Sequence, residues 1–290
     1  MIIETRVYNN SLPGQSQNQK NNKKLNVKKM KKLKLIGLTC LVIALGLGQI
    51  SAQNSNEYKL DMSSGKLIVK ELDEVEFEAS SNGSVTITNR DNDREKSERA
   101  KGLRLINGLG LEDNTGIGLN VEKTSDGATI NQISRTGSGE YLIKVPKGVT
   151  IVFENGSVYS KSVSFKNITS EIEATTTHCD VRLENVTGPM TISTVHGDID
   201  GAFGTINQSN PISIISSHGD IDLSIPIATK ANFTISTNWG EIYSDLEIEI
   251  EKTADSMKRY NQNKVNGKMN GGGVNMNISS THGSIYLRKK

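Results

Sequence analysis

One short pattern returns five times in the second half of the chain and restricts what it can fold into. It reads Thr177-His178-Cys179-Asp180-Val181, Val195-His196-Gly197-Asp198-Ile199, Ser217-His218-Gly219-Asp220-Ile221, Asn238-Trp239-Gly240-Glu241-Ile242 and Thr281-His282-Gly283-Ser284-Ile285. Weaker copies without the ring residue are Asn82-Gly83-Ser84-Val85 and Asn155-Gly156-Ser157-Val158. The ring positions are separated by 18, 22, 21 and 43 residues, the last close to two periods, so one unit there is enlarged. Between copies, apolar and polar residues alternate, as in Ile212, Ile214 before a copy and Ile221, Leu223, Ile225 after it. Period-two patterning rich in β-branched residues specifies short strands. Each unit therefore reads strand, glycine turn, strand, loop.

A unit of about 20 residues cannot bury its own apolar face, whereas stacked coils bury a continuous core with strands about 4.8 Å apart. The expected fold is all-β, a single β-solenoid of parallel β-helix type, with regular repeats from about residue 141. A β-sandwich with antiparallel strands at even spacing is the alternative. It gives no reason for one ring-glycine-acid register to recur. The 4% aromatic content fits a thin core of Ile, Val and Leu.

The N-terminus carries a different message. Lys31-Lys32-Leu33-Lys34, the apolar run Leu35–Gly48 and Gln49-Ile50-Ser51-Ala52-Gln53 have the composition of a secretory signal peptide over residues 30–52, cut after Ala52. The run is short of the ~20 residues a membrane span needs, so no transmembrane segment is expected after cleavage. Residues 1–29 are polar, rich in Asn, Gln and Lys, and aperiodic; they read as a disordered or upstream extension before a start at Met30. Residues 53–290 then form the mature domain. Cys40 falls inside the leader, followed by five more apolar residues, which fits lipidation poorly. Cys179 remains alone, so no internal disulfide is expected.

Removing the leader also changes the charge. Of 34 basic and 32 acidic residues, nine basic and one acidic fall in residues 1–52; the remainder carries 25 against 31, a net of −6. An acidic surface excludes nucleic acid as a partner. The location expected is outside the cytoplasm, whether periplasm, outer cell surface or medium. Other segments fit around the repeats: Asp91–Lys101 is a dense charged loop or short helix, and Lys252–Gly273 a mobile loop or protruding hairpin. Asp255-Ser256-Met257 resembles a bacterial O-glycosylation acceptor.

Three sets of residues invite a chemical reading. His178, His196, His218 and His282, with Trp239 in the same register, stack as a ladder; imidazoles so placed can share a transition metal. Packing over a turn is favoured, since tryptophan fills such a slot and cannot ligate. Gly197, Gly219, Gly240 and Gly283 are expected to supply a positive φ or a bulge. Cys179 replaces the glycine once and sits beside His178, a pair that can make a nucleophile. Asp198 and Asp200 flank Ile199, and Asp220 and Asp222 flank Ile221, so all four face outward. A solvated acidic stripe is the plain reading, and a calcium site the sharper one. Finally, Thr191, Ser193, Thr194, Ser213, Ser216, Ser217, Thr234, Ser236 and Thr237 are expected to form a flat outward hydroxyl face.

The Ser/Thr-x-Gly-Asp-Ile units, the segment Val145-Pro146-Lys147-Gly148-Val149 and the closing Gly271-Gly272-Gly273 with Ser279-Ser280-Thr281-His282-Gly283-Ser284-Ile285-Tyr286-Leu287 resemble a bacterial adhesin-like family of β-solenoid type, a domain of unknown function. The resemblance covers about residues 60–290. It implies an exported, non-enzymatic protein that binds a cell-envelope protein or carbohydrate, with no catalytic residues to carry over. A polysaccharide-acting enzyme using Asp198 and Asp220, or a metal-binding solenoid, are the alternatives.

Overall fold

The computed structural model describes residues 56–91, 99, 102–133, 139–250 and 263–290, and Asn54–Lys290 forms one compact unit. The leader, the upstream extension, nearly all of the charged stretch after Asp91 and Asp255-Ser256-Met257 lie outside the described residues. Among the described residues every named element is a strand, and these strands fall into two sheets of ten and eleven. Among the described residues no helix is long and apolar enough to cross a membrane.

The middle of the chain shows how the repeat folds. Strands β8 (Gly148–Asn155), β10 (Ile172–Thr176), β12 (Met190–Thr194) and β14 (Ile212–Ser216) pair in parallel in the eleven-stranded sheet. Strands β9 (Ser162–Lys166), β11 (Asp180–Val186), β13 (Ile199–Phe203) and β15 (Ile221–Ile225) do so in the ten-stranded sheet. The chain thus alternates between sheets, and each strand bonds to the strand two places on. An antiparallel sandwich would instead join sequence neighbours. The alternation read from sequence sets burial: Ile212, Ile214, Ile221, Leu223 and Ile225 are all fully buried. Each such side chain contributes roughly 1.5–3 kcal/mol on leaving water. Phenylalanines thicken the core near its start, where Phe77 stacks on Phe165 at 5.1 Å.

At both ends the stacking order departs from chain order. Strands β16 (Ala231–Thr237) and β17 (Ile242–Ser244) precede β18 (Glu249–Ile250), β19 (Asn263–Met269), β20 (Val274–Ser280) and β21 (Ile285–Lys289). Yet β20 lies between β14 and β16, and β21 between β15 and β17. The last coil is inserted one rung in from the end. Its register suits both neighbours: Ile212, Met276 and Phe233 align, as do Ile214, Ile278 and Ile235. The first coil does the same. Strand β2 (Ser64–Lys70) lies between β6 (Gly127–Gln132) and β8, and β3 (Glu74–Ser80) between β7 (Glu140–Pro146) and β9.

Antiparallel strands close three of the four sheet ends. β1 (Glu57–Leu60) and β4 (Val85–Asn89) extend the sheet beyond β7, β5 (Leu119–Lys123) pairs with β6, and β19 and β18 pair beyond β16. Capping a parallel stack this way limits edge-to-edge association. Of the loop or hairpin expected over Lys252–Gly273, residues 252–262 lie outside the described residues, and Asn263–Met269 is a strand paired antiparallel with both β16 and β18.

Candidate functional site

The recurring motif forms the corner where the chain passes from the eleven-stranded sheet to the ten-stranded one. Its foundation is a buried hydroxyl. Gly197, Gly219, Gly283 and Gly240 donate their backbone N–H to Thr194, Ser216, Ser280 and Thr237, three residues earlier, at 2.9–3.1 Å. In the first copy Thr176 donates to the Cys179 carbonyl instead, at 3.2 Å. Thr194, Ser216 and Thr237, expected on the outer surface, are therefore buried; alternation along the strand turns them inward at its last residue. The remaining outward positions, such as Thr191, Ser193, Ser213, Thr234 and Ser236, do line the outer face of the eleven-stranded sheet.

The glycines have a different reason from the one expected. None of Gly197, Gly219, Gly240 and Gly283 adopts a positive φ. What excludes a side chain is the coil below. A Cβ on Gly219 would stand 2.0 Å from the Gly197 carbonyl oxygen, and one on Gly283 2.1 Å from that of Gly219. Cys179 occupies the first rung of this ladder, and its side chain turns into the core, fully buried. Burial pushes its thiol up to about 11, so it stays protonated at neutral pH and is no nucleophile.

The rings stack in the order of the coils rather than of the chain. His178, His196, His218 and His282 are spaced at 4.7, 4.7 and 4.4 Å between centroids, with interplanar angles of 23°, 11° and 9°. Trp239, expected between His218 and His282, belongs to the end coil and is 69% exposed. The pKa of His218 lies below the usual histidine value, first through burial and then through its neighbours His282 and His196.

The acids occupy two rows on the outer face of the ten-stranded sheet. In the first, each side chain accepts the backbone N–H of the next coil. Asp180 takes that of Asp198 (3.1 Å), Asp198 that of Asp220 (2.8 Å), Asp220 that of Ser284 (2.7 Å), and the Ser284 hydroxyl that of Glu241 (3.2 Å). In the second row Arg182, Asp200, Asp222, Tyr286 and Tyr243 align. Asp222 accepts three hydrogen bonds from the Arg288 guanidinium, at 2.6, 2.7 and 3.0 Å. The Asp200 carboxyl lies above the usual range because of burial and then the charges of Asp198 and Asp222. Glu76, in the same sheet nearer the N-terminus, shows the reverse: hydrogen bonds from Lys166 and Arg90 outweigh burial and hold it low. Asp198, Asp200, Asp220 and Asp222 thus lie side by side in open rows, and among the described residues no group of three or more His, Cys, Asp or Glu is gathered to hold a metal ion.

The sequence profile of one family, Toastrack DUF4097, matches residues 7–288. The chain belongs to the Toastrack DUF4097 family. Two solved structures share features with this Toastrack chain. One is a "putative cell adhesion protein" from Clostridium sporogenes, with a TM-score of 0.40 and 12% identity, covering 81% of this chain and 99% of the other. The second is a "putative adhesin" from Bacteroides fragilis, with a TM-score of 0.31 and 11% identity, covering 81% and 96%. A comparison with curated proteins found no match.

Two features of this Toastrack chain escaped the sequence reading. The buried hydroxyl three residues before each glycine was visible as Ser/Thr-x-x-Gly, the spacing at which a hydroxyl caps a turn amide. The aromatic end coil, Trp239 with Tyr243 against Tyr286, had no such signal, because only the inserted last coil brings Tyr286 beside Tyr243.

Proposed function

We propose that the mature chain is exported and acts as a non-enzymatic, adhesin-like β-solenoid at the bacterial cell envelope or surface. The basic start, apolar run and small-residue end of residues 30–52 support export. Strands alternating between two sheets, each paired in parallel with the strand two places on, support the solenoid. The observation that carries the reading is the use made of the repeat's own polar groups. Asp198 and Asp220 accept amides of the next coil, and Thr194 and Ser216 cap the corner. The groups that looked most like chemistry join coil to coil, and the outer sheet faces are left as contact surface. Fold alone does not assign a ligand, so the test is binding. Residues 53–290, immobilised, are expected to retain an envelope protein or carbohydrate in pull-downs and on glycan arrays. Finding no partner in either assay argues against this reading.

A further inference from the structure

The polar row that joins the coils runs Asp180, Asp198, Asp220, Ser284, Glu241, and the first four each give a side-chain oxygen to the next backbone N–H. Glu241 is the last member. Among the described residues no strand lies beyond β17 in its sheet, and the Glu241 carboxylate takes part in no hydrogen bond or ion pair. It is the one acceptor in the row left without a donor.

Exposed aromatic residues flank it in the chain: Trp239 lies in the corner just before it and Tyr243 on β17 just after it, 69% and 53% exposed. Tyr243 stacks on Tyr286 at 5.2 Å and 8°. Tyr286 is steadied by the Arg288 guanidinium, 5.8 Å from its ring centre, and Arg288 is held by Asp222. The supported ring thus turns its other face outward at the sheet's end. All five phenylalanines are buried; among the described residues the most exposed Tyr and Trp rings are those of Tyr159, Trp239 and Tyr243, and two of these three lie at this end coil.

Exposed rings and a carboxylate near one another in the chain suit a sugar. A pyranose has an aliphatic C–H face that packs on an aromatic ring and hydroxyl edges that donate to an acceptor. Asp245 lies two residues after Tyr243, and among the described residues its carboxylate accepts only a backbone N–H, that of Lys289, while Glu247 is paired with the Lys289 ammonium. The free charge of Glu241 and Asp245 disfavours an acidic sugar. An extended peptide pairing with β17 is the competing occupant, but that strand has only three residues and offers few backbone bonds.

We propose that this end coil binds an uncharged pyranose chain, with a sugar ring on Tyr243 or Trp239 and its hydroxyls on Glu241. The proposal rests on the binding role above and assigns it a ligand class and a site. Trp239 is the single tryptophan of the chain, so its emission reports on this site alone. The experiment titrates the full chain with cellohexaose, laminarihexaose, maltohexaose and mannohexaose, following emission and, for variants, calorimetry. A saturable emission change with at least one of them is expected. Trp239→Ala and Tyr243→Ala should each weaken binding about 10-fold or more, and Glu241→Gln by a similar factor. Trp239→Phe should recover part of the affinity, and Tyr159→Ala, at an 82% exposed ring outside the cluster, should change nothing. The proposal is overturned if none of the four sugars binds, if the variants bind as the parent does, or if an extended peptide competes the sugar away. If array partners persist in the variants, this site is wrong and the broader binding role stands; no partner in any assay sinks both.

Discussion

His218 and His282 stack with ring centres 4.4 Å apart, although 64 residues and another full coil separate them in sequence. The contact exists because β20 and β21 slip between β14/β15 and β16/β17. The chain's last coil is therefore held on both sides, and the end of the stack belongs to the earlier coil that carries Trp239.

That stack makes stability depend on acid. His218 lies between two imidazoles, and burial followed by those neighbours sets its pKa below the usual value. The folded state then binds fewer protons than the unfolded chain. Stability is complete above about pH 6.5 and falls as the pH drops below it. A melting series should give a lower Tm at pH 5 than at pH 7.5, with a smaller difference in His218→Asn. An equal or larger difference in the variant would contradict the assignment to this ring.

Asp200 has the opposite sign. Burial and the charges of Asp198 and Asp222 raise its pKa, so the folded state binds the proton more readily than the unfolded one. The charged form costs stability at neutral pH, and the cost is relieved as the pH falls through the raised value to below the ordinary one. Asp200→Asn should therefore melt higher at pH 7, by about 1–2 °C for so exposed a site, with the gap closing in acid. A variant that melts lower at pH 7 would show that Arg182 dominates instead.

Cys179 is the one cysteine among the described residues, fully buried, and its thiol is pushed up to about 11 by burial. The thiolate is the reactive form. Iodoacetamide at pH 8 should leave Cys179 unmodified for as long as the protein stays folded and label it within minutes in urea, as read by peptide mass spectrometry. Rapid labelling in the native state would mean that the corner opens locally.

How far the sequence disclosed these arrangements depends on the length scale. Alternation placed Ile212, Ile214, Ile221 and Leu223 in the core because side-chain direction in a strand is a local property. The ring-glycine-acid register located the corners into β11, β13, β15, β17 and β21 for the same reason. Stacking order was not legible: copies at 218, 239 and 282 carry equivalent registers, so no local rule says which touches which. Thr194 and Ser216 were misread because the strand's last residue turns inward just where polar character suggests the surface. The glycines were misread because the obstacle to a Cβ is a carbonyl contributed by another coil, 18 to 64 residues away, which no local pattern contains.

Ser216 offers a direct check of the buried cap. Its hydroxyl accepts the Gly219 N–H at 2.9 Å, and both residues are buried. Ser216→Ala leaves that N–H without a partner and should cost about 1–3 kcal/mol in urea unfolding. Ser216→Thr should be nearly neutral, since Thr194 and Thr237 make the same bond in adjoining and end coils. Equal losses in both variants would point to packing volume rather than the hydrogen bond.

Gly219 tests the coil-to-coil fit itself. An added Cβ would meet the carbonyl oxygen of Gly197, and the chain cannot step aside. His218 N–H is bonded to the Val195 carbonyl at 2.8 Å and Ile221 N–H to that of Ser284 at 3.0 Å. Gly219→Ala should therefore cost about 3 kcal/mol or more, lowering Tm by roughly 6–12 °C. Gly83, from the weaker copy, has nothing within 4 Å of its missing Cβ. Gly83→Ala should stay within about 0.5 kcal/mol of the parent. Because both substitutions add the same methyl group to a glycine between strands without positive φ, their difference reports the contact with the neighbouring coil. Similar melting temperatures for the two variants would mean that the coils are not packed this closely in solution.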